Sequence, residues 1–235
     1  MIRTFIMLGF WAVALPLAAA FCIPWALITG SIGPLYRFGM WSALTGVRLA
    51  GVRVKTIGLE KIEPSKTYIF MSNHASNVDP PLLLPLIPGR TSVMARHDLF
   101  NYPILGRVMR MGSLVPVNRS NRDAGISAVR LAAGVVKKGI HMTIFVEGGR
   151  SLDGKLLPFK KGPFYLAEQC QVPVIPVSIA GTHYVMPKGR NSIKAREVVI
   201  TFHDPIPPSE FGSREELMPR VRKTINDGLP EEYRS

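Results

Sequence analysis

Two side chains able to move a proton near neutral pH stand five positions apart in the stretch 72–81, SNHASNVDPP: His74 and Asp79. A neutral imidazole takes a proton from a hydroxyl near pH 7. A carboxylate on its other nitrogen fixes the tautomer and stabilises the charged form. Five residues through a turn bring such a pair together if Asp79 starts a helix whose first turn folds back over His74. The same residues also read as an ordinary helix start, with Asp79 as N-cap and Pro80 at the first helical position. The two readings are compatible, and an HxxxxD spacing taken alone has little specificity.

A second block, EGGRS at 147–151, offers a carboxylate at Glu147, a flexible backbone at Gly148 and Gly149, and a planar guanidinium at Arg150. Glycines let a ligand approach the main chain, and an arginine fork suits a phosphate. The plain alternative is a turn with a solvated arginine. The stretch 149–155, GRSLDGK, follows a phosphate-binding P-loop for seven positions, but Leu156 stands where Ser or Thr should hold magnesium. It also falls short of a nucleophile elbow, because Asp153 replaces the final glycine. Further basic blocks are VNRSNR at 117–122, with Arg119 and Arg122, and PFKKG at 158–162, with Lys160 and Lys161. The five histidines are scattered without metal-ligand spacing, so neither a metal nor a cofactor is expected. Histidines other than His74 read as structural.

These blocks need elements to hold them. Short β-branched or aromatic runs at 67–72, 91–95, 114–117, 141–146, 172–179 and 198–202 read as strands. Between them, helices are expected over 80–87, over 124–138, where Ile126, Val129, Ala133 and Val136 keep helical spacing, and from Pro163 to Gln169. Ser213 and Glu216 have the spacing of a capping box before a last helix, which contains an unexplained Pro219. Strands alternating with helices imply an α/β fold, with a mainly parallel central sheet covered by helices.

The N-terminus has a different character. From Thr4 to Tyr36 no residue is charged, and 5–28 is nearly unbroken apolar sequence, long enough to cross a bilayer. The competing reading is a signal peptide cleaved near Ala18–Ala20, but the apolar run continues past that point. Pro16 and Pro24 leave open a bent or re-entrant hairpin in one leaflet. The stretch 35–49 resembles an amphipathic interfacial element. The expected organisation is a membrane-associated helical segment, 1–58, and an α/β domain, 59–235. Arg37, Arg48, Arg53 and Lys55 precede the first acid after the apolar run, which places the domain on the cytoplasmic side of the inner membrane if that run spans. The net charge of +13 favours an anionic partner. Nucleic acid is not expected, because the basic residues interleave with glycine and proline rather than with stacking aromatics. The two cysteines, Cys22 and Cys170, offer no disulfide framework.

As an ordered set, Asn73 to Asp79 (NHxxxxD), the strand with Arg119, EGGRS and VPVIPV at 172–177 resemble the glycerolipid acyltransferase family. Within it the chain is most similar to bacterial 1-acylglycerol-3-phosphate acyltransferases, which acylate lysophosphatidic acid. The resemblance covers about residues 65–180. It implies His74 as general base, Asp79 as its orienting partner, and Arg119, Glu147 and Arg150 on the phosphate-bearing acceptor, with Asn73, Gly148 and Lys161 beside them. It also implies no metal and no covalent acyl-enzyme. The partners would be lysophosphatidic acid, membrane phospholipids and, as donor, acyl-carrier protein or acyl-CoA. Gly149 stands where the family usually has threonine, Asn118 where it has aspartate and Ser113 where it has glycine. These departures bear on the acceptor and leave open another lysolipid, such as a lysophospholipid or lyso-ornithine lipid. They do not touch the His/Asp pair. A hydrolase would need a serine in a proper elbow, and a non-enzymatic module binding anionic lipid would leave His74 without a role.

Overall fold

The computed structural model describes residues 1–118 and 122–234. Among them, strands β1 (Arg53–Ile57), β2 (Ile69–Ser72), β3 (Thr91–Arg96), β4 (Val115–Val117), β5 (His141–Phe145), β6 (Val174–Ala180) and β7 (Glu197–Phe202) form one sheet. Their order is β1-β7-β6-β2-β5-β3-β4. Every pairing is parallel except that of β6 with β7. The central β2 and β6 are buried along their whole length. That is why they read as apolar runs without alternation.

The helices are α1 (Ile2–Thr29), α2 (Gly33–Leu49), α3 (Asp79–Leu83), α4 (Pro103–Met111), α5 (Arg122–Val136), α6 (Gly162–Cys170), α7 (Thr182–Val185) and α8 (Arg214–Asp227). On one face of the sheet, Ala132, Val136, Leu166, Val221 and Ile225 of α5, α6 and α8 pack on Ile69, Met71, Met142 and Ile144. On the other, Val47, Leu82 and Leu83 of α2 and α3 pack on Tyr68, Phe70, Ile175 and Val177. The β2-to-β3 and β3-to-β4 crossovers step across the sheet in the same direction. The right-handed rule therefore puts α3 and α4 on the same face, and α5 and α6, whose crossovers step back, on the opposite one.

The helix expected over 80–87 starts at Asp79, and after Leu83 it tightens into a 3-10 turn, Leu84–Leu86. Pro85 lacks the amide an α-helix would need there. The capping-box spacing works with a shift. The Glu216 carboxylate accepts the N–H of Gly212 at 3.1 Å, and the Ser213 carbonyl accepts those of Glu216 and Leu217. Pro219 stays within α8, on its exposed side. Three elements were not legible in the sequence. Strand β1, inside the stretch grouped with the membrane segment, pairs with β7 from Arg53↔Glu197 to Ile57↔Thr201. Helix α4 and the short α7 occupy stretches for which no element was expected.

Helices α1 and α2 form an antiparallel hairpin pinned to the domain. Arg3 donates to the Ala50 carbonyl at 3.2 Å, the Ile193 N–H donates to Thr4 Oγ1 at 2.9 Å, and Met7 is part of the core under α2. Further along, Trp11 Nε1 donates to the Ser42 carbonyl at 2.9 Å, over Gly46, where any Cβ would collide with the indole. At the distal end of α2 the Tyr36 hydroxyl accepts the N–H of Thr91 at 2.9 Å. Helix α1 is long and apolar enough to cross a membrane and continues through Pro16 and Pro24. It leaves Phe5, Leu8, Leu17, Phe21, Trp25 and Ile28 exposed along its length, which points to membrane association.

Candidate active site

In a parallel sheet, loops at the carboxyl ends of neighbouring strands meet. Here β2 delivers Asn73 and His74, and its neighbour β5 delivers Glu147, Gly148 and Arg150. His74 Nδ1 lies 2.6 Å from Asp79 Oδ2. The same oxygen accepts the N–H groups of Ala75 and Ser76, each at 2.8 Å. Asp79 is 0% exposed and His74 11%. A carboxylate only accepts, so it holds the proton on Nδ1 and leaves Nε2 as the basic nitrogen. The phenyl ring of Phe145, the last residue of β5, stacks on the imidazole at 4.3 Å between centroids and fixes its plane.

The expected cap does not form: Val78 is the N-cap, Asp79 is the first residue of α3, and its carboxylate turns back to donors that precede the helix. It accepts these backbone donors and holds the imidazole with the same oxygen.

Glu147, 4% exposed, accepts the N–H of His74 with Oε1 and that of Leu157 with Oε2, both at 3.0 Å. Burial pushes its carboxyl up to about 7, while these two amide donors and Arg222 oppose the shift. The Ser151 N–H donates to the His74 carbonyl at 2.9 Å, so the two loops are tied from both sides. The Asn73 side chain is also buried and spans to β6: its Nδ2 donates to the Ile179 carbonyl at 2.9 Å, and its Oδ1 accepts the Ile179 N–H at 2.8 Å. Ser76 Oγ donates to the Met186 carbonyl at 2.8 Å, which braces the same loop against the segment after β6.

Gly148 adopts φ +67, and a Cβ there would press on the Lys160 side chain. Lys160, one residue before the anticipated Lys161, is the lysine that packs over the glycine. Lys161 is exposed at the start of α6. Arg150 is half-exposed, and its carbonyl accepts from Lys188 Nζ at 2.9 Å. Arg119 lies outside the described residues. Among the described residues, no group of three or more His, Cys, Asp or Glu side chains could hold a metal ion.

The Acyltransferase family model matches residues 53–180, more than half of the chain. The chain is 32% identical over 213 residues, 89% of its length, to the 1-acyl-sn-glycerol-3-phosphate acyltransferase of Cocos nucifera, of which it covers 68%. It is 32% identical over 196 residues, 83% of its length, to that of Limnanthes douglasii, again covering 68% of the relative. The chain belongs to the acyltransferase family. As a fold, this acyltransferase is similar to the crystal structure of PlsC, the 1-acyl-sn-glycerophosphate acyltransferase from Thermotoga maritima. The TM-score is 0.79 at 27% identity, with 96% of this chain and 95% of the other covered.

The matched residues run from β1 to the end of β6 and so contain His74, Asp79, Phe145, Glu147 and Arg150, while Lys188 and Arg222 lie beyond them. Four contributors were not read from the sequence: Phe145, Ser76, Leu157 and Ile179. Phe145 carried one usable signal, an aromatic residue at the end of a strand that enters a glycine turn. Leu157 and Ile179 act through main-chain atoms brought together only by tertiary folding, and Ser76 through both its N–H and its hydroxyl.

Proposed function

We propose that this chain transfers a fatty acyl group from an acyl thioester to the sn-2 hydroxyl of lysophosphatidic acid, giving phosphatidic acid. His74 Nε2 takes the hydroxyl proton as the oxygen attacks the thioester carbonyl, with Asp79 stabilising the imidazolium. The carbon–sulfur bond then breaks, and the departing thiolate takes the proton back from His74. The observation that carries this reading is the 2.6 Å His74–Asp79 contact, held by two backbone donors on the same carboxylate oxygen. Arg150, Arg119 and the Gly148 backbone receive the acceptor phosphate. Asn73 and Glu147 act as positioning residues, since the atoms of both side chains bond main-chain groups of the surrounding loops.

The relatives, 1-acyl-sn-glycerol-3-phosphate acyltransferases by name, support lysophosphatidic acid as acceptor, and the +13 charge suits either acyl-carrier protein or acyl-CoA as donor. Gly149 and Asn118 stand at positions of the acceptor-binding blocks and favour, as second reading, a different lysolipid headgroup. The proposed location is the cytoplasmic face of the inner membrane. Both ends of the α1–α2 hairpin return to the domain, which supports α1 lying within the near leaflet rather than spanning.

Purified chain, assayed for thiol release with glycerol 3-phosphate, lysophosphatidic acid, other lysophospholipids and lyso-ornithine lipid, tests the assignment. Lysophosphatidic acid should give the highest kcat/KM. A lysolipid without a phosphomonoester outpacing it would replace the acceptor with that headgroup class.

A further inference from the structure

Helix α4 carries its apolar side chains on one broad side, with Arg107 and Arg110 on the other, and the core uses only part of that apolar side. Gly106 and Met109 turn inward, with Gly106 against the Phe100 carbonyl. Ile104, Val108 and Met111, at i, i+4 and i+7, make a stripe along the same side of the helix. The N-terminal end of this stripe lies open: Ile104 is 68% exposed, the neighbouring Tyr102 and Leu105 are 59% and 45% exposed, and Val108 and Met111 are half-buried. Beside it run Arg107 and Arg110, both exposed, and Pro103–Met111 contains no acid. The nearby Asp98 carboxylate is engaged by Arg96 at 2.6 Å. An apolar stripe edged by arginines, without acids, is the pattern of a helix that lies in the plane of an anionic lipid surface.

Position in the fold selects the same partner. The right-handed crossover puts α4 on the sheet face that carries α1 and α2, so its open end lies on the same side of the sheet as the apolar surface that α1 presents. Tyr102, Ile104 and Leu105 follow the carboxyl end of β3, and β3 runs parallel to β5, whose carboxyl end bears Glu147. They therefore stand at the same end of the sheet as His74.

We infer that the open end of the α4 stripe is a second membrane contact, docking on an anionic phospholipid leaflet beside the mouth of the active site. Its part in catalysis rests on the lysolipid reading given above. Helix α1 attaches the protein, and α4 sets the tilt that brings His74 to a hydroxyl at the headgroup level.

Depth measurement tests the contact directly. The full chain carrying Cys22→Ser, Cys170→Ser and Ile104→Cys, with a nitroxide at residue 104, is placed in nanodiscs containing phosphatidylglycerol. Collisions with oxygen should exceed those with a water-soluble nickel complex. An excess of nickel collisions overturns the inference. So does protection from both reagents, which would mean that a second copy covers the stripe. The Ile104→Glu, Leu105→Glu variant adds a functional arm. Transfer to lysolipid presented in vesicles should fall about tenfold, while transfer to a monomeric short-chain lysolipid stays at the parent rate. Equal rates in vesicles contradict a catalytic role for the contact, and an equal loss on both substrates assigns the residues to folding instead. If the parent chain acylates neither acceptor, the acceptor reading fails, and the nitroxide depth still decides the contact.

Discussion

At the scale of single residues, one buried carboxylate ties the two halves of the site together. Glu147 sits between the N–H of His74 and that of Leu157, and its carboxyl is raised from an ordinary 4.5 to about 7 mainly by burial. A group whose folded value lies above its unfolded one adds stability that is fully present below the unfolded value. That stability is lost as pH rises through the folded value. Wild type should therefore lose melting temperature relative to Glu147→Gln as pH goes from about 4.5 to about 7, by the equivalent of up to about 3 kcal/mol. Thermal melts of both proteins in detergent check this, and a constant or widening wild-type lead would contradict it. His74, Asp79, Glu147 and Gly148 could be picked out beforehand because their spacing is local. The backbone partners of Glu147 and Asn73 could not, since Glu147 is 73 residues from His74 and Ile179 is 106 from Asn73. The expectation that Asn73 and Glu147 touch substrate came from residue type and resemblance. Only the fold brings up the backbone groups that occupy both side chains.

At the scale of elements, the apolar N-terminal helix is part of the folded domain as well as its attachment to lipid. Arg3, Thr4, Met7 and Trp11 all contact residues beyond α1. Removing residues 2–29 should lower the melting temperature in detergent by about 5 °C or more, because a core methionine and buried hydrogen bonds are lost. An unchanged melting temperature in detergent would reduce α1 to an anchor. The sequence displayed the apolar length of α1 and the buried strands β2, β5 and β6 plainly, because long or doubly buried segments leave continuous apolar runs. It hid β1, whose RVKTI places Arg and Lys on an edge strand with only half-buried alternation. It hid α4 as well, a nine-residue helix too short to show a sustained period.

At the scale of the whole molecule, the parts converge on one arrangement: a parallel sheet whose carboxyl ends gather an oriented imidazole, with α1, α2 and α4 on one of its faces. The direct test is a time course of thiol release from acyl-CoA with lysophosphatidic acid in vesicles, run on the full chain and on His74→Ala. Removing the proposed general base should lower the rate by about 10²- to 10⁴-fold, with melting temperature and vesicle binding unchanged. Thiol release at the parent rate from a folded, vesicle-bound His74→Ala protein would contradict the assignment of acyl transfer to this site.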